Sequence, residues 1–351
     1  MKTILVLGAG GSPAVNFAKS VRKEYTLIGV DISVNHAYLT KEFYDKFVVI
    51  NPKEKLKEIQ CLIDRYNVDG IHAQPDIEVE WLSENRNTLR NVKIFLPSKE
   101  VIGICQDKLK SENVWASNGI IDFFPMKVDL LPNMRKQYLI ISSNLGCPFW
   151  IRATKGAGAR GGMKIEKYEQ FEHWIKFWKA TNPEWEFIAQ KYYRGRDMAY
   201  QSLWHEGNLV SGQGRERLEY IYPQLSPSGL TGTPIVAKAC NDKELEIAAI
   251  EAIKAIDNKP HGIYCVDLKE NNFRFFPTEI NVGRFFTTSN FFAQCGKNMP
   301  LAYLNLMFDL SVSFLKAVVP ADTYYFRHID CGGKIFNIGN EWGKEFNENF
   351  I

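Results

Sequence analysis

No two of the seven cysteines stand in a C-x-x-C pair, and the six histidines show no metal-ligand spacing. Cys61, Cys105, Cys147, Cys240, Cys265, Cys295 and Cys331 are scattered singly and odd in number, so neither a disulfide framework nor a zinc site is expected. A reducing cytoplasm suits them. Long apolar runs are scarce too. The N-terminal MKTILVLGAGG stops at glycines after one short run, without the longer core and cleavage site of a signal peptide. The most hydrophobic late stretch, 301–319, contains Asp309 and Lys316, which argues against a membrane span and for a packed helix. Charge of one sign is not in excess. The formal charge of +3 comes with no dense basic block, which sets aside a nucleic-acid partner. Repeats, low-complexity tracts and flexible linkers are missing as well. What remains is apolar material, 45% of 351 residues, enough for about two or three folding units with cores.

The first hundred residues alternate short buried runs with helical patterns. Strands are expected at Thr3–Leu7, Thr26–Val30, 47–50, Gly70–Ala73 and 92–96, with helices over 13–23, 53–66 and 78–89. Apolar runs separated by helices of this length imply βαβ units and a parallel sheet over 1–97. The second region, 98–310, reads as α+β. Helices at 99–104, 110–118 and 133–143 lead to a strand at 148–153, a glycine-rich stretch, a strand at 163–165, a helix around 168–179 and a strand at 187–192. A smaller glycine-loop lobe is expected over about 120–192. Antiparallel strands and a late hairpin, 263–269 with 275–281, follow, and 311–351 is a C-terminal segment packed on the core. The fold class is therefore α/β plus α+β.

Two glycine loops bear on function. Gly8-Ala9-Gly10-Gly11-Ser12-Pro13 follows the first strand, and Asp31 ends the second. This imitates a dinucleotide fingerprint, but proline stands where the third glycine would sit against the strand. The simpler reading is a tight turn able to receive a carboxylate at a helix N-terminus; a nicotinamide-dependent oxidoreductase is the rival. The second loop, Gly156-Ala157-Gly158-Ala159-Arg160-Gly161-Gly162, lies between two strands and beside Arg152 and Lys155. Glycines let backbone N–H groups close over phosphate oxygens, and the cations would neutralise them. No Walker ending follows.

The late hairpin carries Asp267 on one strand and Glu279 and Asn281 on the next. Glu279 and Asn281 differ by two and share a face. With the turn near Phe273, Asp267 falls opposite Glu279. Such oxygen ligands suit Mg²⁺ bridging phosphates, and the like charges would repel without a cation. Arg284 lies three residues beyond Asn281.

The composite resembles the ATP-grasp superfamily, most closely the synthetase units of the carbamoyl-phosphate synthase large subunit. The resemblance rests on Gln106-Asp107-Lys108, Pro148-Phe149-Trp150-Ile151-Arg152 with its glycine loop, Ala189 to Asp197, Val266-Asp267 and Thr278-Glu279-Ile280-Asn281, in that order. It implies a pre-ATP-grasp domain followed by a two-lobed ATP-grasp fold. It also implies ATP with Mg²⁺ (or Mn²⁺), and an amide-forming reaction between small-molecule carboxylate and amine substrates through an acyl phosphate. Lys108, Arg152 and the loop glycines Gly156, Gly158, Gly161 and Gly162 would meet phosphates. Gln190, Lys191 and Tyr193 would line the adenine, and Asp197, where the family has glutamate, the ribose. Asp267, Glu279 and Asn281 match the metal ligands. Arg284, displaced by one position from the family's "N-P-R", or Arg215 would stabilise the tetrahedral oxyanion. A phosphotransferase on the same scaffold and a non-catalytic nucleotide-binding module are the alternatives. A homodimer is the common default.

Overall fold

A computed structural model describes residues 1–156, 161–226, 228–229, 231–315 and 318–328, and the backbone of a strand at 332–337. Five parallel strands open the chain: β1 (Thr3–Leu7), β2 (Thr26–Asp31), β3 (Lys46–Val49), β4 (Gly70–Ala73) and β5 (Lys93–Ile94), in the order β3-β2-β1-β4-β5. Their crossovers contain α1 (Ser12–Val21), α2 (Val34–Thr40), α3 (Lys55–Tyr66) and α4 (Asp76–Asn85). Both faces of β1 are covered. Leu5 and Leu7 face the α3 side with Ile59 and Ile63, while Ile4 and Val6 face Phe17, Ala18 and Val21 of α1. That double burial is why the run is apolar without alternation.

Helices α5 (Lys99–Cys105) and α6 (Lys108–Ser117) lead to a four-stranded antiparallel sheet. Its strands β6 (Met126–Val128), β7 (Phe149–Ala153), β8 (Met163–Ile165) and β9 (Phe187–Lys191) lie in the order β6-β9-β7-β8. Here the alternation is clean. Phe149, Ile151 and Ala153 pack under α7 (Met134–Leu145) and α8 (Tyr168–Thr181) in a core of their own, leaving Trp150 and Arg152 on the opposite face. A seven-stranded sheet completes the fold. It contains β10 (Asp197–His205), β11 (Asn208–Tyr220), β12 (Pro234–Cys240), β13 (Gly262–Asn271), β14 (Arg274–Val282), β15 (Thr323–His328) and β16 (Gly332–Asn337). Their order is β14-β13-β10-β11-β12-β15-β16. On one face of this sheet lies α9 (Lys243–Ile256), whose Leu245, Ala249, Ala252 and Ile253 join the same core as Leu5 and Ile71 of the first unit. On the other, α10 (Ser289–Gln294) and α11 (Met299–Met307) join the core that holds α1. The parallel unit and the large sheet thus share both cores, whereas the small sheet stands on its own.

Two expectations change. The stretch 301–319 is not one helix: α11 ends at Met307, and Asp309 turns left-handed at φ 60° while the Leu310 N–H returns to the Asn305 carbonyl. Asn305 and Ser311 close that turn, and competing polar groups of this kind end a helix despite apolar neighbours. Helix α2 is an addition. Ser33 caps it, yet Val34, Tyr38 and Leu39 are exposed, so no apolar stripe marks it in the sequence. Among the described residues no helix is long and apolar enough to cross a membrane.

Candidate functional site

The late hairpin turns through Asn272 and Phe273, both left-handed (φ 51° and 61°), the geometry that matches strand twist in a two-residue loop. Its register pairs Asp267 with Glu279 and Cys265 with Asn281. Thr278 is the extra residue of a bulge, because Leu268 already pairs with Pro277, whose missing N–H such an irregularity accommodates. Pairing continues across the sheet: Asp267 lies opposite Ala199 and Ala199 opposite Arg215, so Arg215, Asp267 and Glu279 share one face. The next rung on that face carries Arg217, Asp197 and Lys269.

Cations from other elements reach this acidic pair. Lys108 begins α6, whose N-cap Asp107 accepts from the Leu109 and Lys110 N–H groups. Its ammonium lies 3.3 Å from Glu279 Oε1 and donates to the Gly156 carbonyl at 2.9 Å. Arg152 lies 3.8 Å from Glu279 Oε2, binds Glu112 Oε1 at 2.7 Å and donates to the Thr278 carbonyl. Glu112 is one helical turn past Lys108 and buried. That burial pushes its carboxyl above the usual range, against the opposing pull of Arg152. Arg217 sits 3.2 Å from Asp267 Oδ1, and burial likewise raises the Asp267 carboxyl while Arg217 lowers it.

These groups line a cleft between the small and large sheets. Of the expected residues, Lys108, Arg152, Gly156, Gly162, Gln190, Lys191, Tyr193, Asp197, Asp267 and Glu279 border it. Trp150 and Tyr192, stacked with ring centres 6.3 Å apart, add an aromatic wall on the small-sheet side. Lys191 is held by Asp122 at 2.5 Å, Asp197 by Lys269 at 2.8 Å, and Tyr193 stacks on Phe276 at 4.5 Å. Gly161 stands outside the lining, where an added Cβ would meet Trp174 and Phe187. Gly158 and Arg160 fall outside the described residues.

Asn281 and Arg284 lie deeper. The Asn281 side-chain oxygen accepts from Arg284, and its nitrogen is 3.4 Å from Asp267 Oδ2. Arg284 makes a two-pronged bond to Asp76 at the start of α4, including Nη2 to Oδ2 at 2.9 Å, which ties the first unit to the site. Arg215 is 2% exposed and lies over the Phe286 ring at 4.2 Å. Burial, with Arg217 beside it, pulls its guanidinium down to about 10. Buried polar atoms here without a hydrogen-bond partner include Arg152 Nε, Gln190 Oε1, Arg215 Nε and Arg217 Nε. A bound polar ligand would satisfy groups of this kind.

A divalent cation fits the acidic pair. Among the described residues no three of His, Cys, Asp and Glu converge on a metal position. Two facing carboxylates suit an ion that fills its octahedron with phosphate oxygens and water. Ligation by Asn281 requires its oxygen to leave Arg284. The first glycine loop does something else. Asp31 accepts from the Gly10 and Ser33 N–H groups at 2.9 and 3.0 Å and faces His36 Nδ1 at 3.0 Å, so its carboxylate holds the turn together.

Glu112, Lys269, Tyr192 and Asp76 were not among the expected site residues. Glu112 is four residues past Lys108 and Lys269 two past Asp267, spacings that place each beside its neighbour. Asp76 has no local signal.

No protein-family model and no curated protein matches the chain. Solved structures do. A carboxyaminoimidazole ribonucleotide synthase from Aspergillus clavatus, complexed with ATP, superposes with a TM-score of 0.70 at 13% identity, over 93% of this chain and 81% of that one. The biotin carboxylase domain of the Hydrogenobacter thermophilus 2-oxoglutarate carboxylase, with MgADP and bicarbonate, gives 0.69 at 13% identity over 93% and 74%. An L-amino acid ligase from Bacillus licheniformis gives 0.68 at 10% identity over 93% and 80%. With a parallel unit, a small antiparallel lobe and a large sheet in this order, the chain has the ATP-grasp fold.

Proposed function

We propose that the protein is an ATP-dependent carboxylate–amine ligase that forms an amide through an acyl phosphate and releases ADP and phosphate. The observation that carries this reading is Lys108. One ammonium touches both the Gly156 carbonyl and Glu279, so the glycine loop of the small lobe meets the acidic hairpin of the large sheet at one point.

Gln190, Lys191 and Tyr193 would receive the adenine beside Trp150, and Asp197, oriented by Lys269, the ribose. Lys108, Arg152, Gly156 and Gly162 border the space for the phosphates. Asp267 and Glu279 would hold Mg²⁺ or Mn²⁺, which when bound neutralises charge on the β- and γ-phosphate oxygens. The acid's carboxylate oxygen attacks the γ-phosphorus as the bond to ADP breaks. Positioning and charge neutralisation by Lys108 and Arg152 carry that step. The amine then attacks the acyl carbon, phosphate leaves and the amine's proton is lost. The oxyanion formed on the way needs a cation that is not already neutralised. Arg284 is held by Asp76, which favours Arg215 for this role.

The test is an ADP-release screen over a matrix of carboxylic acids and amines. ADP release should require one of each, and Glu279→Gln should lower it by at least about 100-fold with an unchanged circular dichroism spectrum. Full activity in that variant removes the metal-ligand assignment. A stable phosphorylated product without amine would make the protein a kinase.

A further inference from the structure

Beyond the hairpin, the same sheet face carries a second group of cations. Arg215 on β11 and Arg217, two residues on, are followed across β12 by Tyr325 on β15, which pairs with Ala237 as Ala237 pairs with Arg217. Arg327 lies two residues past Tyr325 and therefore on the same face. The loop after β14 closes over them: Phe286 stacks on Arg215, and the Thr287 carbonyl accepts from Arg327 at 3.1 Å. Arg327 also donates to Ser12 Oγ at 3.3 Å, at the start of α1, where helix N–H groups add positive partial charge, and it interacts with the Tyr325 hydroxyl. Tyr325 lies within electrostatic reach of both Arg215 and Arg327.

Among the described residues neither arginine has a carboxylate partner: no acid lies within ion-pair distance of Arg215 or Arg327, and the nearby Asp267 is taken by Arg217. Arg215 is nearly inaccessible, and its Nε has no acceptor. A buried guanidinium without counter-charge is costly, and the acceptors of Arg327 among the described residues are neutral. Perturbed buried charges of this kind cluster at functional sites, where a ligand can supply the anion.

We propose that Arg215 and Arg327 form a two-point anion site, and that the acid substrate is a dianion. Its reacting carboxylate lies on Arg215 beside the phosphoryl-transfer end of the cleft, and a second carboxylate or a phosphate lies on Arg327 near Ser12. The inference rests on the ligase reading and names its substrate class.

The test is calorimetric, on the full chain with Mg²⁺ and a non-hydrolysable ATP analogue. Dicarboxylates of three to six carbons and the matching phosphonocarboxylates are compared with monocarboxylates of equal length. The best dianion should bind at least about tenfold more tightly than its matched monoanion. Tighter binding by the dicarboxylates assigns a carboxylate to Arg327, and tighter binding by the phosphonocarboxylates a phosphate. Arg327→Gln should remove the preference while monoanion affinity stays, and Arg215→Gln should weaken both series. Should Arg215→Gln fail to fold, the partly exposed Arg327 carries the test alone. Equal affinities, no binding by either series, or a preference that survives Arg327→Gln overturns the proposal. Glu279→Gln should keep the preference. An intact preference in a protein that never releases ADP would sink the ligase reading and spare the anion site, and the reverse result would sink the anion site alone.

Discussion

Replacing Asp76 by asparagine tests how the first unit is coupled to the site. The two side chains of the Asp76–Arg284 pair are 27% and 9% exposed, so the arginine is buried and the acid only partly so. Hydrogen bonds to charged groups contribute about 1.5–3 kcal/mol, and breaking a fully buried pair costs about 3–5. The partial exposure of Asp76 lets water replace some of the loss, which brings the expected cost to about 2 kcal/mol. With an unfolding entropy near 2.1 cal/mol/K per residue, a chain of this length loses about 3 °C in Tm. Calorimetry reads the shift, and urea titration of Asp76→Asn, Arg284→Met and the double variant closes the cycle. The coupling between the two positions should be about 2 kcal/mol. Additivity within about 0.5 kcal/mol, or an unchanged Tm in Asp76→Asn, refutes the claim that this bond ties the units together.

Two further perturbations follow from buried groups. His72 is fully buried against the Phe17 ring at 4.0 Å, one ring nitrogen has no partner, and burial lowers its pKa to about 3. The ring is neutral in the fold while the unfolded chain takes up a proton below about pH 6.5, so stability falls as pH drops from about 6.5 towards 3. The slope from this group is at most about 1.4 kcal/mol per pH unit, and His72→Phe should flatten a urea-midpoint profile over that window. Gly8 has φ +68°, and a Cβ there would lie 1.6 Å from the Gln74 carbonyl oxygen. Gly8→Ala should therefore destabilise by at least about 2 kcal/mol in urea, and a smaller loss would mean that the turn relaxes at little cost.

Much of the site could be read from order and alternation. Glu279 and Asn281 share a face because strands alternate, but the two-residue turn alone would set Asp267 against Thr278; the bulge at Thr278 shifts the register by one and brings Glu279 opposite Asp267. Lys108 and Arg152 were legible only through the resemblance carried by Gln106-Asp107-Lys108 and Pro148-Phe149-Trp150-Ile151-Arg152; the helix was expected from Lys110, and the structure begins it at Lys108. The end of α11 was not recognisable, since apolar content continues past Met307 while a left-handed Asp309 and nearby polar groups stop the helix. Helix α2 was missed for the opposite reason, having a cap but no buried stripe.

The amino-acid sequence by itself determined the local structures, because periodicity, caps and turn residues act within a few positions of one another. It determined that a glycine loop, a cationic helix start and an acidic hairpin all exist. Only the tertiary structure decided which charges neutralise which. Asp76 reaches Arg284 across 208 residues, Asp267 chooses Arg217, and among the described residues Arg215 is left with an aromatic ring and no acid. Coulomb interactions depend on distance in space and on burial, and neither is written in the spacing along a chain.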